Sequence, residues 1–378
     1  MKYVFLAAQG LADEPVEELS GRTPLEAAKT PNMDRLAKAG TVGTATFTLH
    51  DLPTSGDATC LSMLGYDPSE FYTGIAPLDA AALGVAQKDL EIIFRCDLVT
   101  TLDDTLVDRM AGRISQKEAK LLVAELDAKL STPRLRFHSG HGYKNLLIVS
   151  DAELAENLDE LDCTPPYAVA GSKFAKHLPK GKAQALLLEL VEKARAILDA
   201  HEINRVRVDL GENPANMIWP WGQGRHPKLP GFKARHGLSG AVVSDADFVK
   251  GLGKISGLET EKDLERAIAK HDFVFAYVPA AEPRTFDLKT KVRAIEDFDH
   301  AILGPALKIA ESEGARVCVT TDAPESLEKG AVLHGAVPYV FFGPGFEASN
   351  AAYFGEKTAA QGKSFVEGHK LITRFFSK

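Results

Sequence analysis

Tyr3-Val4-Phe5-Leu6-Ala7-Ala8 is a short continuous apolar run that ends at Gln9-Gly10. A run of this length without polar alternation is the pattern of a strand covered on both faces, as in the middle of a parallel sheet. The pattern recurs at Phe273 to Val278, Arg316 to Thr320 and Val337 to Phe342, separated by helical stretches such as Asp287 to Glu311. Strands alternating with helices predict an α/β fold: a mainly parallel sheet with helices on its faces. Thr30-Pro31 ahead of Asn32 to Ala39 and Gly40 supply a cap, a first-turn proline and a terminating glycine, so a helix is expected there.

The middle of the chain reads differently. Glu91 to Val99 reads as a strand, and Ser115-Gln116-Lys117-Glu118 is a capping box opening a helix toward Leu130. Arg134 to His138 and Asn145 to Val149 read as paired strands across a glycine-rich turn at Ser139 to Gly142, and a second long helix fills Ala183 to Ala200. This predicts a smaller α+β cap module, residues 86–230, inserted into a discontinuous core domain of residues 1–85 and 231–378.

With 378 residues, 45% apolar and 25% charged, the chain can bury a core in each part. A net charge of -8 with no lysine or arginine run leaves no electrostatic footprint for nucleic acid. Cys60, Cys96, Cys163 and Cys318 lie far apart with no C-x-x-C pair, which predicts reduced thiols. The first apolar run is at the short limit for a signal peptide and acidic Asp13 and Glu14 follow at once. No stretch reaches the roughly 20 apolar residues that span a bilayer. The cytoplasm is therefore the expected location, with neither nucleic acid nor membrane as partner.

Several longer segments carry a resemblance: Gly21-Arg22-Thr23-Pro24-Leu25 with Thr30-Pro31-Asn32-Met33-Asp34, Leu64-Gly65-Tyr66-Asp67-Pro68, Tyr72-Thr73-Gly74, Phe94-Arg95-Cys96, Ala111-Gly112-Arg113-Ile114, Cys163-Thr164-Pro165-Pro166, and Asn213 to Trp219 with Trp221-Gly222-Gln223-Gly224. In this order they resemble the archaeal-type cofactor-independent phosphoglycerate mutases, a branch of the alkaline phosphatase superfamily. The resemblance implies an alkaline-phosphatase-like sheet domain binding two divalent metals such as manganese, and a cap that closes over phosphoglycerate. The metals make a serine alkoxide and neutralise the transferred phosphoryl group.

Set against that pattern, the chain departs at most chemical positions. Gln9 stands where the family has an aspartate after the first strand, Gly56 where it has the serine nucleophile, Ala323 and Val332 where it has histidines. Ser55 precedes Gly56, but a one-residue slip turns its hydroxyl away. The stretch Pro279 to Phe286 carries Glu282 and no histidine. Asp322 is the remnant ligand, and Asp13, Asp57 and His334 are weaker metal candidates. The expectation is no catalytic residue, no bound metal cofactor and no mutase activity.

The cap keeps more. The resemblance assigns Arg95, Asp97, Arg113 and Lys144 to ligand binding, since arginines there grip phosphate and carboxylate by paired contacts. Trp219, Trp221 and Arg225 read as packing between the domains, and Tyr167 stands where relatives often have histidine. The partners left open are a phosphorylated small molecule, another protein or a second copy of the chain. The alternative is an enzyme rebuilt around Asp13, Asp57, Cys60, Asp322 or His334, acting on a phosphorylated small molecule as isomerase, phosphatase or phosphotransferase.

Overall fold

The computed structural model describes residues 1–279 and 287–377. It divides into two compact units, residues 1–72 with 228–378 and residues 73–227. The boundaries differ from the sequence-based ones at the first junction. Residues 73–85 group with the inserted unit because Ala76 and Ala80, on the helix Ile75–Ala82, pack with Ile93, Leu146 and Ile148 of that unit's sheet.

The larger unit is built on an eight-stranded sheet. Tyr3–Gln9 lies in its interior, parallel to both Phe273–Pro279 and Arg316–Thr320, with Ala7 beside Tyr277 on one flank and Thr320 on the other. Val337–Phe342 departs from the parallel arrangement, running antiparallel to Arg316–Thr320 and to Thr41–Ala45. Alternating residues separate two faces, as period two requires. Val4, Leu6, Ala8, Val274, Ala276, Val317 and Val319 feed one core. Phe5 and Phe275 meet on the opposite side with ring centroids 5.7 Å apart, and the same alternation puts Tyr277 on that side. The C-terminal ends of these parallel strands bring Gln9, Pro279 and the residues after Thr320 to one edge, where open α/β sheets hold their ligands.

The helix Pro31–Ala39 forms as expected, but Thr30 makes no side-chain cap. The Asp299 carboxylate replaces it, accepting the Asn32 and Met33 amides at 3.1 and 2.8 Å. A cap supplied 266 residues away cannot be read from local sequence.

The inserted unit carries a sheet in which Ile92–Leu102 is central, antiparallel to Thr105–Asp108, Lys144–Val149 and Met217–Gly224. Leu135–His141 pairs with Lys144–Val149. The helices Gln116–Leu130, opened by the Ser115/Glu118 capping box, and Gln184–Ala200 complete it. All four cysteines are free. Among the described residues, no helix is long and apolar enough to cross a membrane.

Candidate functional site

In the larger unit the edge at the strand ends holds Asp322, Tyr277, Gly56, Asp57 and Cys60. Asp322 follows Arg316–Thr320 and is buried. Its Oδ2 accepts the Tyr277 hydroxyl at 2.8 Å, and its Oδ1 accepts from the Thr321 hydroxyl at 3.2 Å and the Ala323 amide at 3.0 Å. Burial raises the Asp322 carboxyl, with these hydrogen bonds pulling the other way. The Tyr277 hydroxyl is pushed far up by burial and by the Asp322 charge beside it, so it stays a donor.

Gly56 is the first residue of the helix Gly56–Met63, with Ser55 at its cap position in extended backbone. A β-carbon at Gly56 would overlap the Tyr277 hydroxyl oxygen and lie 3.1 Å from Phe248 Cζ. The space a nucleophilic side chain would need is therefore filled by a phenol from the strand Phe273–Pro279. Sequence reading missed Tyr277 because an aromatic residue inside a buried strand looks like core.

The other acidic candidates are engaged or isolated. Asp57 Oδ2 accepts the Tyr72 hydroxyl at 2.6 Å, while its Oδ1 is buried without a partner. Asp13 forms an ion pair with Lys291 at 2.6 Å, both side chains almost fully buried, and also accepts the Leu327 amide. A buried pair of this kind costs about 3–5 kcal/mol to break by removing one partner, so Asp13 is held by its own lysine. His334 is exposed and faces His50 with ring centroids 5.0 Å apart. Val332 pairs with Glu325 in a short hairpin. Cys60 is no thiolate, since burial and the neighbouring Asp322 and Asp57 charges push its thiol well up. Glu282 lies outside the described residues.

A two-metal centre needs converging anionic or imidazole donors. Among the described residues only Glu259, Glu261 and His271 bring three such ligand atoms within 4.8 Å of one another. That group is a surface ion-pair cluster, with the Lys270 ammonium bonded to Glu259 at 2.9 Å and Glu261 at 2.7 Å. Asp13, Asp57, Asp322 and His334 form no comparable group, and Gln9 contributes a neutral amide. Among the described residues the donor set does not fit the two metals, and Asp13, Asp57 and Asp322 do not converge into a three-ligand carboxylate site.

The inserted unit holds a second polar cluster. Arg95 Nε donates to Asp79 Oδ2 at 2.5 Å, and its guanidinium lies 5.0 Å from the Trp221 ring centroid. Trp221 Nε1 donates to Asp97 Oδ2 at 2.8 Å, while Asp97 Oδ1 is buried with no partner. Burial pushes the Asp97 carboxyl up to about 6, against the pull of Arg95, the Trp221 hydrogen bond and Lys144. Lys144 begins the neighbouring hairpin strand, half-buried, and Tyr167 packs edge-on against Trp221 at 5.6 Å. Trp221 is thus part of this cluster, and Trp219, whose Nε1 donates to the Thr164 carbonyl at 2.8 Å, packs inside the unit. Arg225 pairs with Asp159 at 3.0 Å.

Arg113 is not gathered with these groups by any contact. It is exposed, third in a left-handed run with Ala111, Gly112 and Arg113 at φ 48°, 65° and 54°. Asp108 holds that turn, accepting the Met110 and Gly112 amides at 2.7 and 2.8 Å.

Comparison with known proteins places this geometry. The family model for 2,3-bisphosphoglycerate-independent phosphoglycerate mutase matches residues 37–204. The mutase of that name from Methanosarcina mazei is 36% identical over 98% of both chains. This chain belongs to that family. A probable mutase of the same kind from Geobacter sulfurreducens is 35% identical, again over 98% of both chains. Among solved structures, the cofactor-independent phosphoglycerate mutase of Thermoplasma acidophilum is 27% identical with a TM-score of 0.62, over 99% of both chains. A Pyrococcus horikoshii protein shares the fold at a TM-score of 0.81 and 24% identity, covering 100% of this chain and 98% of its own.

Proposed function

We propose that this member of the family is not a catalyst and has become a binding protein for a small phosphorylated hydroxy acid. The observation carrying the first half is Tyr277. Its hydroxyl fills the space beside Gly56 and donates to Asp322, the remnant ligand, so one side chain occupies both the expected nucleophile position and an oxygen of that carboxylate. Among the described residues at that edge, Gly56 offers no attacking oxygen and no converging donor set offers a charge sink for phosphoryl transfer.

The second half rests on the cluster around Arg95. Asp97 Oδ1 is a buried acceptor without a donor, and Lys144 beside it supplies positive charge. A ligand hydroxyl donating to Asp97 and an acidic group drawn to Lys144 satisfy both. Unpaired buried acceptors cost about 1–3 kcal/mol, which a fitting donor recovers. A coupled assay for 2- and 3-phosphoglycerate interconversion, run with manganese on protein free of contaminating mutase, is expected to show no turnover. Turnover lost on Asp322→Ala would sink the non-catalytic reading.

A further inference from the structure

The helix Glu202–Asp209 in the inserted unit is built inside out. Its buried side chains are Asn204 and Arg207. Asn204 Nδ2 donates to the Leu198 and Ala215 carbonyls at 2.8 and 2.9 Å, and Arg207 donates to the Asn213 carbonyl at 3.0 Å and to Glu118 at 3.1 Å. Its outward side chains include Val206 and Val208, and Leu210 just beyond its end is 70% exposed. A surface helix normally turns its apolar stripe inward.

Two grooves flank this helix. On one side Leu121 and Val206 help line a cavity of about 550 Å³, and on the other Leu102, Val107 and Val208 help line one of about 610 Å³. Six of the nine exposed large apolar residues among those described therefore gather around one short helix. Exposed apolar residues gathered in this way mark interaction sites. Between the apolar flanks, Arg205 and Asp209 are exposed, and neither has an ion-pair partner among the described residues.

We propose that this face is the interface of a homodimer, in which the helices Glu202–Asp209 of two copies pack antiparallel across a twofold axis midway between Arg205 and Asp209. That arrangement sets Arg205 of each copy opposite Asp209 of the other and lays each valine flank against its counterpart. The charge pattern selects a second copy as the occupant. A face carrying both signs at positions symmetric about its centre is self-complementary, which is the requirement of the isologous dimers that dominate soluble assemblies.

Sedimentation velocity on the full chain tests it. The wild type is expected to run as a dimer in reversible equilibrium. Val206→Glu with Val208→Glu should raise the dissociation constant at least tenfold while leaving the far-ultraviolet circular dichroism unchanged. Leu121→Lys, on the separate helix Gln116–Leu130, gives an independent disruption should the valine pair lose its fold. Arg205→Glu and Asp209→Arg should each weaken the dimer, and the two combined should restore it. A wild type that stays monomeric up to its solubility limit overturns the proposal. So does a dimer indifferent to Val206, Val208 and Leu121, or a double charge reversal that fails to restore association.

Discussion

Gly56→Ala is the smallest change that asks whether the Tyr277 hydroxyl has closed the nucleophile position. Alanine in place of glycine favours a helix by up to about 0.5–1 kcal/mol, and Gly56 is the first helical residue. Against that, the new methyl overlaps the Tyr277 oxygen and sits 3.1 Å from Phe248 Cζ, and overpacking of a closed site costs about 1–3 kcal/mol. If Tyr277 swings away, its hydrogen bond to the Asp322 carboxylate is lost as well, worth about 1.5–3 kcal/mol. The clash wins, and a net loss of about 1–3 kcal/mol is expected. In a Tyr277→Phe background the overlapping oxygen is gone, so the same Gly56→Ala change should cost at least about 1 kcal/mol less, a coupling typical of residues in contact. Scanning calorimetry suits the test, because both tryptophans, Trp219 and Trp221, lie in the other unit and their fluorescence does not report on this one. Equal cost in both backgrounds, or a stabilised Gly56→Ala protein, would refute the reasoning.

Two further experiments, one on stability and one on binding, have expected outcomes. Burial pushes the Glu356 carboxyl up to about 7; a folded-state value above the unfolded one means its contribution to stability is complete below about pH 4.5 and is lost as pH rises through 7. Glu356→Gln should therefore flatten the decline of melting temperature between pH 5 and pH 8, and an unchanged slope would contradict the assignment. Calorimetric titration with phosphoglycerates should show salt-sensitive binding weakened at least tenfold, about 1.4 kcal/mol, by Lys144→Met. Arg113→Ala, exposed and apart from the cluster, should change affinity less. Asp97→Asn should remove the part of the pH dependence centred near 6, where the Asp97 carboxyl titrates; binding indifferent to Lys144 and Asp97 would move the ligand elsewhere.

The sheet was legible because buried parallel strands leave continuous apolar runs. Tyr3–Gln9, Phe273–Pro279 and Arg316–Thr320 all announce themselves this way. The direction of Val337–Phe342 was not legible, since a run buried on both faces reads the same in either orientation. The first domain boundary was missed for a related reason: the helix Ile75–Ala82 is apolar toward a sheet, and its sequence does not say which one. At the edge holding Gly56 and Asp322, the resemblance alone pointed to a serine expected at Gly56. What fills that place was not legible, because Tyr277 meets Gly56 and Asp322 across 221 and 45 residues of chain, and Lys291 reaches Asp13 across 278. Arg95 was identified from its motif, but its partners Asp79 and Trp221 come from a helix and a strand on either side of it in sequence.

Thermal unfolding in the presence and absence of divalent metal tests the central claim most directly, because it requires no guess about substrate. A metal bound only to the native state at one hundred times its dissociation constant adds about 2.7 kcal/mol of stability. That raises the melting temperature by degrees at roughly 2–4 °C per kcal/mol in domains of 150–250 residues. With Asp13 held by Lys291, Asp322 held by Tyr277 and Gln9 neutral, the expected result is no shift with manganese, magnesium, zinc or chelator. A saturable rise with one metal, abolished by Asp322→Ala, would contradict the account.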